Sequence, residues 1–266
     1  MRSEGMPVAL EQGPWGQEIV GTGTNGVIRI IGVEGPRWLY RVTLAAPTGS
    51  EDQLAEIGRE TPGAGVTPFV VDLADRAAAD ETIARVRDGH PGVTMLFNNA
   101  GVAVGGRFTE VDAADFDWLL EINLLAPIRI TRALLPLMLA NGQGQVVNTS
   151  SLFGLIGPPG QSAYSTSKFG LRGFSESLRS ELEAEDQPVG VTSVHPGGIR
   201  TGIARNARIA AGTDPDEEER GRAAFDKVLR YPADRAAEEI IEAAIARRPL
   251  LRRPSDEAFP PASGFR

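Results

Sequence analysis

Two hydrophobic rhythms alternate along most of the chain. Short runs of consecutive apolar and β-branched residues predict buried strands at VTPFVVDLAD (66–75), VTMLFNNAG (93–101), QVVNTSS (145–151) and VGVTSVHPGG (189–198). Between them apolar positions recur at helical spacing. They predict a helix over about 76–88, a long helical stretch from about Asp112 to Ala140, and a helix from near Ser162 to about Ala184. Pro127 predicts a break in the long stretch, because proline lacks an N–H and its ring crowds the preceding turn. Upstream, GQEIV (16–20) and RVTLAAP (41–47) predict two more strands. Strands that are apolar on both faces need cover on both. The expected fold class is therefore α/β, a doubly wound parallel sheet flanked by helices on both faces. With no linker or internal repeat, residues 1–266 read as a single domain with 1–17 and 252–266 as loose termini.

The segment after the first strand breaks the rhythm. Residues 27–38 should form the first helix, yet VIRIIGVEGPRW starts β-branched and then carries Gly32, Gly35 and Pro36. An interior proline costs a helix about 3 kcal/mol and each glycine about 1 kcal/mol. Just before it, IVGTGTNGVIRII (19–31) sits where a nucleotide-binding domain of this kind keeps its glycine-rich phosphate loop.

Composition narrows the chemistry. The 266 residues are 41% hydrophobic and 23% charged, with a net charge of −8, which argues against a nucleic-acid partner. No apolar run approaches the roughly 20 residues that span a bilayer, and ALLPLMLA is the best candidate. The N-terminus lacks a basic head followed by an apolar stretch, so the expected location is the cytoplasm, with no membrane association. The basic cluster ARRPLLRRP reads as a solvated helix end. With no cysteine there is no disulfide, thiol nucleophile or cysteine metal site. Two histidines are too few and too isolated for a zinc centre, so no metal is expected. His90, in the polar turn DGHPG, is expected at the surface, and His195 is expected to be structural, at a strand end. No G-x-S-x-G elbow supports a serine hydrolase.

The remaining chemistry concentrates in NTSSLFGLIGPPGQSAYSTSKFG (148–170). Tyr164 and Lys168, four apart at the start of a helix, share a face. A phenol of pKa about 10 needs its phenolate stabilised by roughly 4 kcal/mol to work near pH 7, which a neighbouring ammonium in a low-dielectric site can supply. Ser151, at a strand end thirteen positions earlier, can donate a hydrogen bond to the same substrate oxygen. Strand ends on one edge of a parallel sheet are where such domains bind ligands.

Taken with its company, this stretch resembles the short-chain dehydrogenase/reductase family, in the branch of about 250 residues built as one Rossmann-like domain. The markers run in order as NNAG (98–101), EIN (121–123), Ser151, YSTSK (164–168) and HPGGIRT (195–201), and the resemblance covers roughly residues 66–247. It implies hydride transfer between a nicotinamide cofactor and a secondary alcohol or ketone. Tyr164 would be the general acid–base, Lys168 would lower its pKa and hold the nicotinamide ribose, and Ser151 would orient the substrate oxygen. Asn123 would hold a water linking Lys168 to solvent. The cofactor would further touch Asp72 and Leu73 near the adenine, Asn99, Ala100 and Gly101 along the adenosine ribose, and Ile199 and Thr201 at the carboxamide. Plain structural roles stay open beside these: Asn98, Asn99 and Asp72 as turn or cap residues, Asn123 as a tie between helix and sheet, and Pro196-Gly197-Gly198 as a tight turn.

The phosphate loop fits the family pattern T-G-x-x-x-G-x-G in neither of two registers. One keeps Gly26 with Ile28 in place of the last glycine and Gly21-Thr22 in reversed order; the other keeps Thr22-Gly23 with a loop one residue shorter. After the second strand, Ala46 and Pro47 occupy the slots where an acid would select NAD, and its absence favours NADP. The apolar loop LFGLIGPPGQ (152–161) favours an apolar alcohol or ketone, while the family's substrate lid, about Ile203 to Lys227, is charged here at DPDEEER. The resemblance also implies a homodimer or homotetramer built on the long helices after residues 112 and 162. Two rival readings stand beside catalysis. One is a non-catalytic scaffold or ligand binder of the same fold, and the other is a chain whose two ends were altered by reading-frame shifts.

Overall fold

The computed structural model describes residues 17–22, 40–46, 65–211, 213 and 215–252. Gly23, Gly26, Ile28, the broken helix 27–38, Pro47 and the tail 253–266 lie outside the described residues.

Seven strands form one parallel sheet in the order β3-β2-β1-β4-β6-β7-β9. They are β1 (Gln17–Thr22), β2 (Tyr40–Ala46), β3 (Gly65–Val70), β4 (Met95–Asn98), β6 (Gly144–Thr149), β7 (Val189–His195) and β9 (Leu250–Arg252). The order reverses between β1 and β4, which creates the crevice where doubly wound sheets bind ligands. There Thr22 pairs with Asn98, so the chain enters the glycine-bearing stretch beside the NNAG turn.

Consecutive residues of one strand serve opposite faces, as the period of two requires. Leu96, Val146 and Val191 join the core under α1 (Arg76–Gly89) and α3 (Ala126–Ala140), whereas Phe97, Val147 and Val194 pack with Ile240 and Ala244 of α6 (Ala233–Ile245), which follows α5 (Pro215–Val228). Both faces are thus covered, as the unbroken apolar runs predict. The helix α4 (Ser162–Ala184) lies on the first face and has the bounds its periodicity predicts.

Several expectations need correction. The long helix does not break at Pro127. α2 (Ala113–Leu120) continues through a π-turn (Glu121–Leu125) into α3, and the wider turn admits the proline at the start of α3, where a missing N–H costs least. This 28-residue helix, Ala113–Ala140, is also long and apolar enough by composition to cross a membrane, contrary to the sequence expectation. Its buried residues Ile122, Ala126, Ile130 and Leu134 pack in the first core, as a core helix does. Gln17 belongs to β1 and Arg252 to β9, although the sequence reading places both in loose termini; the rest of 1–17 and 252–266 lies outside the described residues. The basic cluster near 246–254 is not a simple helix end, since Leu250–Arg252 adds a strand beside β7. His90 is buried rather than on the surface: its N–H bonds the Val86 carbonyl at 2.9 Å, closing α1, while Gly89 and Pro91 remain exposed.

Candidate active site

The site forms where β4, β6 and β7 end. Beyond β6 the backbone runs through Ser150 and Ser151 into a single 3-10 turn, Leu152–Gly154. Beyond Gln161 it enters α4, whose first turn carries Tyr164 and whose second carries Lys168. Ser151, Tyr164 and Lys168 therefore converge although the first two are thirteen residues apart. Tyr164 is buried, the Ser151 side chain is close enough to influence its ionisation, and its ring meets Phe153 edge-on at 6.1 Å between centroids. Lys168 is buried too, with Nζ 5.7 Å from the Tyr164 ring centroid and donating to the Thr149 carbonyl at 2.8 Å.

The electrostatics differ from the expected lowering of the tyrosine by its lysine. Burial is the largest influence on Tyr164 and raises its pKa above the usual phenol value; the Ser151 side chain opposes this. Burial also pushes the Lys168 ammonium down from 10.5 to about 8. Both charged forms lose hydration, so the neutral forms are favoured: Tyr164 holds its proton more tightly and Lys168 releases its own more readily.

Asn123 sits on the π-turn and ties it to the loop after β4. Its Oδ1 accepts from the Val102 N–H at 2.8 Å, and its amide donates to the Val102 carbonyl at 2.9 Å and to Ser167 Oγ at 3.2 Å. That is the tie between helix and sheet left open by the sequence. It also brings Asn123 Oδ1 and Lys168 Nζ beside Gly101, where a Cβ would lie 3.6 Å and 3.4 Å from them. Bare backbone beside a buried ammonium offers the donor chemistry that a sugar hydroxyl takes, so these residues fit the nicotinamide half of a dinucleotide.

Other expected cofactor residues take structural posts on the same rim. The Asp72 carboxylate, at an exposed residue, accepts from the Ala74 N–H at 2.9 Å and shapes the turn after β3, with Leu73 buried beside it. Asn99 Oδ1 accepts from the Thr149 hydroxyl at 3.1 Å, and Ala100 is buried. Ile199 bridges to Tyr231, with the Tyr231 N–H donating to the Gly198 carbonyl at 2.9 Å, and the Thr201 hydroxyl accepts from the Ile203 N–H at 3.4 Å.

Sequence reasoning missed a layer beneath the site. The Asn98 amide donates to Asn148 Oδ1 at 2.8 Å and to Thr131 Oγ1 at 3.0 Å, and the Asn148 amide donates to Ser175 Oγ at 2.9 Å. All four are buried, so this network locks β4, β6, α3 and α4 together. An asparagine inside the apolar run QVVNTSS was the available signal, since a buried amide demands partners. Gly154 was missed as well. A Cβ there would collide with Ser150 Oγ and come within 2.9 Å of the Lys168 carbonyl oxygen. Gly154→Ala is expected to destabilise the fold by about 1–3 kcal/mol in thermal or urea unfolding, because the obstacle is largely backbone.

The approach to Tyr164 is apolar. Val104, Leu119, Leu152 and Phe153 surround it, with Phe116 and Ile203 packed behind. The segment after Thr201 is stitched to this wall. β8 (Arg208–Ile209) pairs in parallel with β5 (Val104–Gly105). The Arg208 guanidinium lies 3.5 Å from the Trp118 ring centroid and 2.6 Å from Asp115. Gly106 must be glycine here, since its φ is +144° and a Cβ would strike Ala210.

A family profile described as short chain dehydrogenase matches residues 40–211, and a second, described as a protein of unknown function, matches residues 1–71. SadH of Mycobacterium tuberculosis, named as an oxidoreductase, is 41% identical over 180 residues, covering 65% of this chain and 64% of SadH, so the match spans just under two thirds of that relative. A short-chain dehydrogenase/reductase from Burkholderia phymatum, in complex with NAD, superposes with a TM-score of 0.74 at 24% identity, covering 88% of each chain. A structure from Beutenbergia cavernae with bound NADP, named for NAD(P)-dependent gluconate 5-dehydrogenase, superposes with a TM-score of 0.66 at 24% identity, covering 86% of this chain and 90% of that one. The parallel sheet, the crevice at its reversal and the match over most of the described residues agree: the chain belongs to the short-chain dehydrogenase family.

Proposed function

We propose that the protein is an NAD(P)-dependent oxidoreductase that interconverts a secondary alcohol and a ketone, with Tyr164 passing the proton. One observation carries this reading: Ser151 and Tyr164 converge at the strand ends, where the Ser151 side chain acts to lower the Tyr164 pKa and the Lys168 ammonium is buried beside them. A nicotinamide, when bound, supplies or takes the hydride. In the reducing direction Ser151 donates a hydrogen bond to the carbonyl oxygen and steadies the charge growing there. Tyr164 gives its proton to that oxygen, a transfer its raised pKa keeps available through neutral pH. Lys168 faces the forming phenolate with its ammonium. In the oxidising direction the same groups act in reverse. Asn123 holds Val102 against the helix and so fixes the backbone that would bind the ribose.

The apolar wall around Tyr164 supports an apolar substrate. NADP is preferred over NAD on the absence of an acid at Ala46. Exposed Leu125 and Phe169, on the π-turn and α4, support assembly of copies through these helices.

A specific observation favours a second reading, a non-catalytic protein of the same fold. The dehydrogenase profile begins at Tyr40, beyond the phosphate loop, and residues 1–71 match a different family. Titration of the folded protein with NADPH and NADH, followed by nicotinamide fluorescence, separates the two. Micromolar binding of either is the expected result. No binding at millimolar cofactor overturns the dehydrogenase reading and leaves the scaffold.

A further inference from the structure

The fully buried His195 closes β7, and its ring ties that strand end to the Ser151 carbonyl. Beyond the end of β6 the chain still tracks β7: the Ser150 N–H donates to the Val194 carbonyl at 2.8 Å, and the Leu152 N–H to the Pro196 carbonyl at 3.1 Å. A parallel ladder in this register would next bring an N–H from residue 196 to the Ser150 carbonyl. That residue is proline and has none. The ring of His195 reaches the following carbonyl instead, with Nδ1 3.0 Å from the Ser151 carbonyl oxygen and Nε2 2.9 Å from Ser193 Oγ.

Building on the dehydrogenase reading, we propose that His195 is a positioning residue, whose Nδ1–H holds the Ser151 carbonyl so that the Ser151 hydroxyl points at Tyr164. A carbonyl oxygen only accepts, so the proton must be on Nδ1. In the neutral ring Nε2 then accepts from the Ser193 hydroxyl, which fixes the tautomer. With its carbonyl held and its Oγ accepting from the Phe153 N–H at 3.2 Å, Ser151 has its O–H left to donate toward Tyr164 and the substrate oxygen.

Asn and Gln substitutions separate this bond from mere filling of space. The Asn amide nitrogen falls near the place of Nδ1, and that of Gln near the place of Nε2. His195→Asn is expected to keep kcat within about threefold of the parent. His195→Gln is expected to lose roughly 10- to 100-fold in kcat at unchanged KM for the nicotinamide, the scale of loss when a catalytic group is misplaced. Equal behaviour of the two variants overturns the proposal. A second readout needs neither turnover nor cofactor. The chain has two histidines, so 15N-histidine spectra assign His195 as the signal lost in His195→Asn. The expected spectrum places the proton on Nδ1, and a proton on Nε2 alone overturns the proposal. Should the parent show no turnover, the dehydrogenase reading fails by itself. His195 is then judged by the phenol titration of Tyr164, expected to move upward in the Gln variant and to stay in place in the Asn variant; identical titrations overturn it.

Discussion

Tyr164→Phe is expected to lower turnover of a secondary alcohol or ketone by about 10²- to 10⁴-fold, the usual contribution of a positioned acid–base group. The fold should be spared. The phenyl ring keeps its edge-on contact with Phe153 and its place in the cluster around Leu152 and Val104. What is lost is one hydroxyl that Ser151 influences, a change of about 1 kcal/mol in stability at most. The cofactor titration should not move, because Lys168 and the bare backbone at Gly101 remain. The measurement is steady-state kinetics on a ketone panel beside nicotinamide fluorescence on the same preparation. Full activity in the Phe variant would remove Tyr164 from the mechanism. Loss of activity together with cofactor binding would assign the residue to architecture.

Lys168→Met is expected to abolish turnover and, below pH 8, to make the protein more stable. An ammonium lowered from 10.5 to about 8 costs the native state about 3 kcal/mol at pH 7. The sign follows from proton counting. Between pH 8 and 10.5 the unfolded chain still binds the lysine proton and the folded chain has lost it. The parent therefore gains stability as pH rises through that window. Methionine carries no charge and lacks this dependence. Against its advantage stands the bond from Nζ to the Thr149 carbonyl, whose loss costs about 1–3 kcal/mol at any pH. The difference in unfolding free energy should thus favour the variant near pH 7 and shrink or reverse by pH 9.5. A difference that stays flat from pH 7 to 9.5 would show that the ammonium is not buried in the native protein. Such a residue, kept at a cost in stability, is what a functional site requires.

Much of this was legible in the sequence, for identifiable reasons. α4 was read with its bounds because its apolar period is unbroken and a glycine- and proline-rich loop precedes it. The convergence of Ser151 on Tyr164 followed from the strand–loop–helix order, which brings a strand end and a helix start to one edge. Ionisation was read less well, because spacing places the Lys168 charge near Tyr164 but says nothing of how much water both lose. His90 was misjudged because DGHPG describes its neighbours: the turn is polar and exposed, while the histidine closing α1 turns inward. β9 was missed because three residues between arginines carry too little pattern to separate a strand from a helix end. Asn148 hid in an apolar run, its partners Asn98 and Ser175 lying fifty and twenty-seven residues away.

The π-turn at Glu121–Leu125 settles a mismatch of period. Ile122, Ala126, Ile130, Leu134 and Met138 enter one core at every fourth residue, while an α-helix turns in about 3.6. Over four turns that pattern would drift by about one and a half residues around the axis, carrying Met138 off the core. A wider turn takes up one residue of the excess in a single step. The proline read as a break therefore marks a phase correction, and the surplus residue is spent where the cleft needs it. The core keeps its register, and Asn123 is freed to reach sideways to the backbone of Val102.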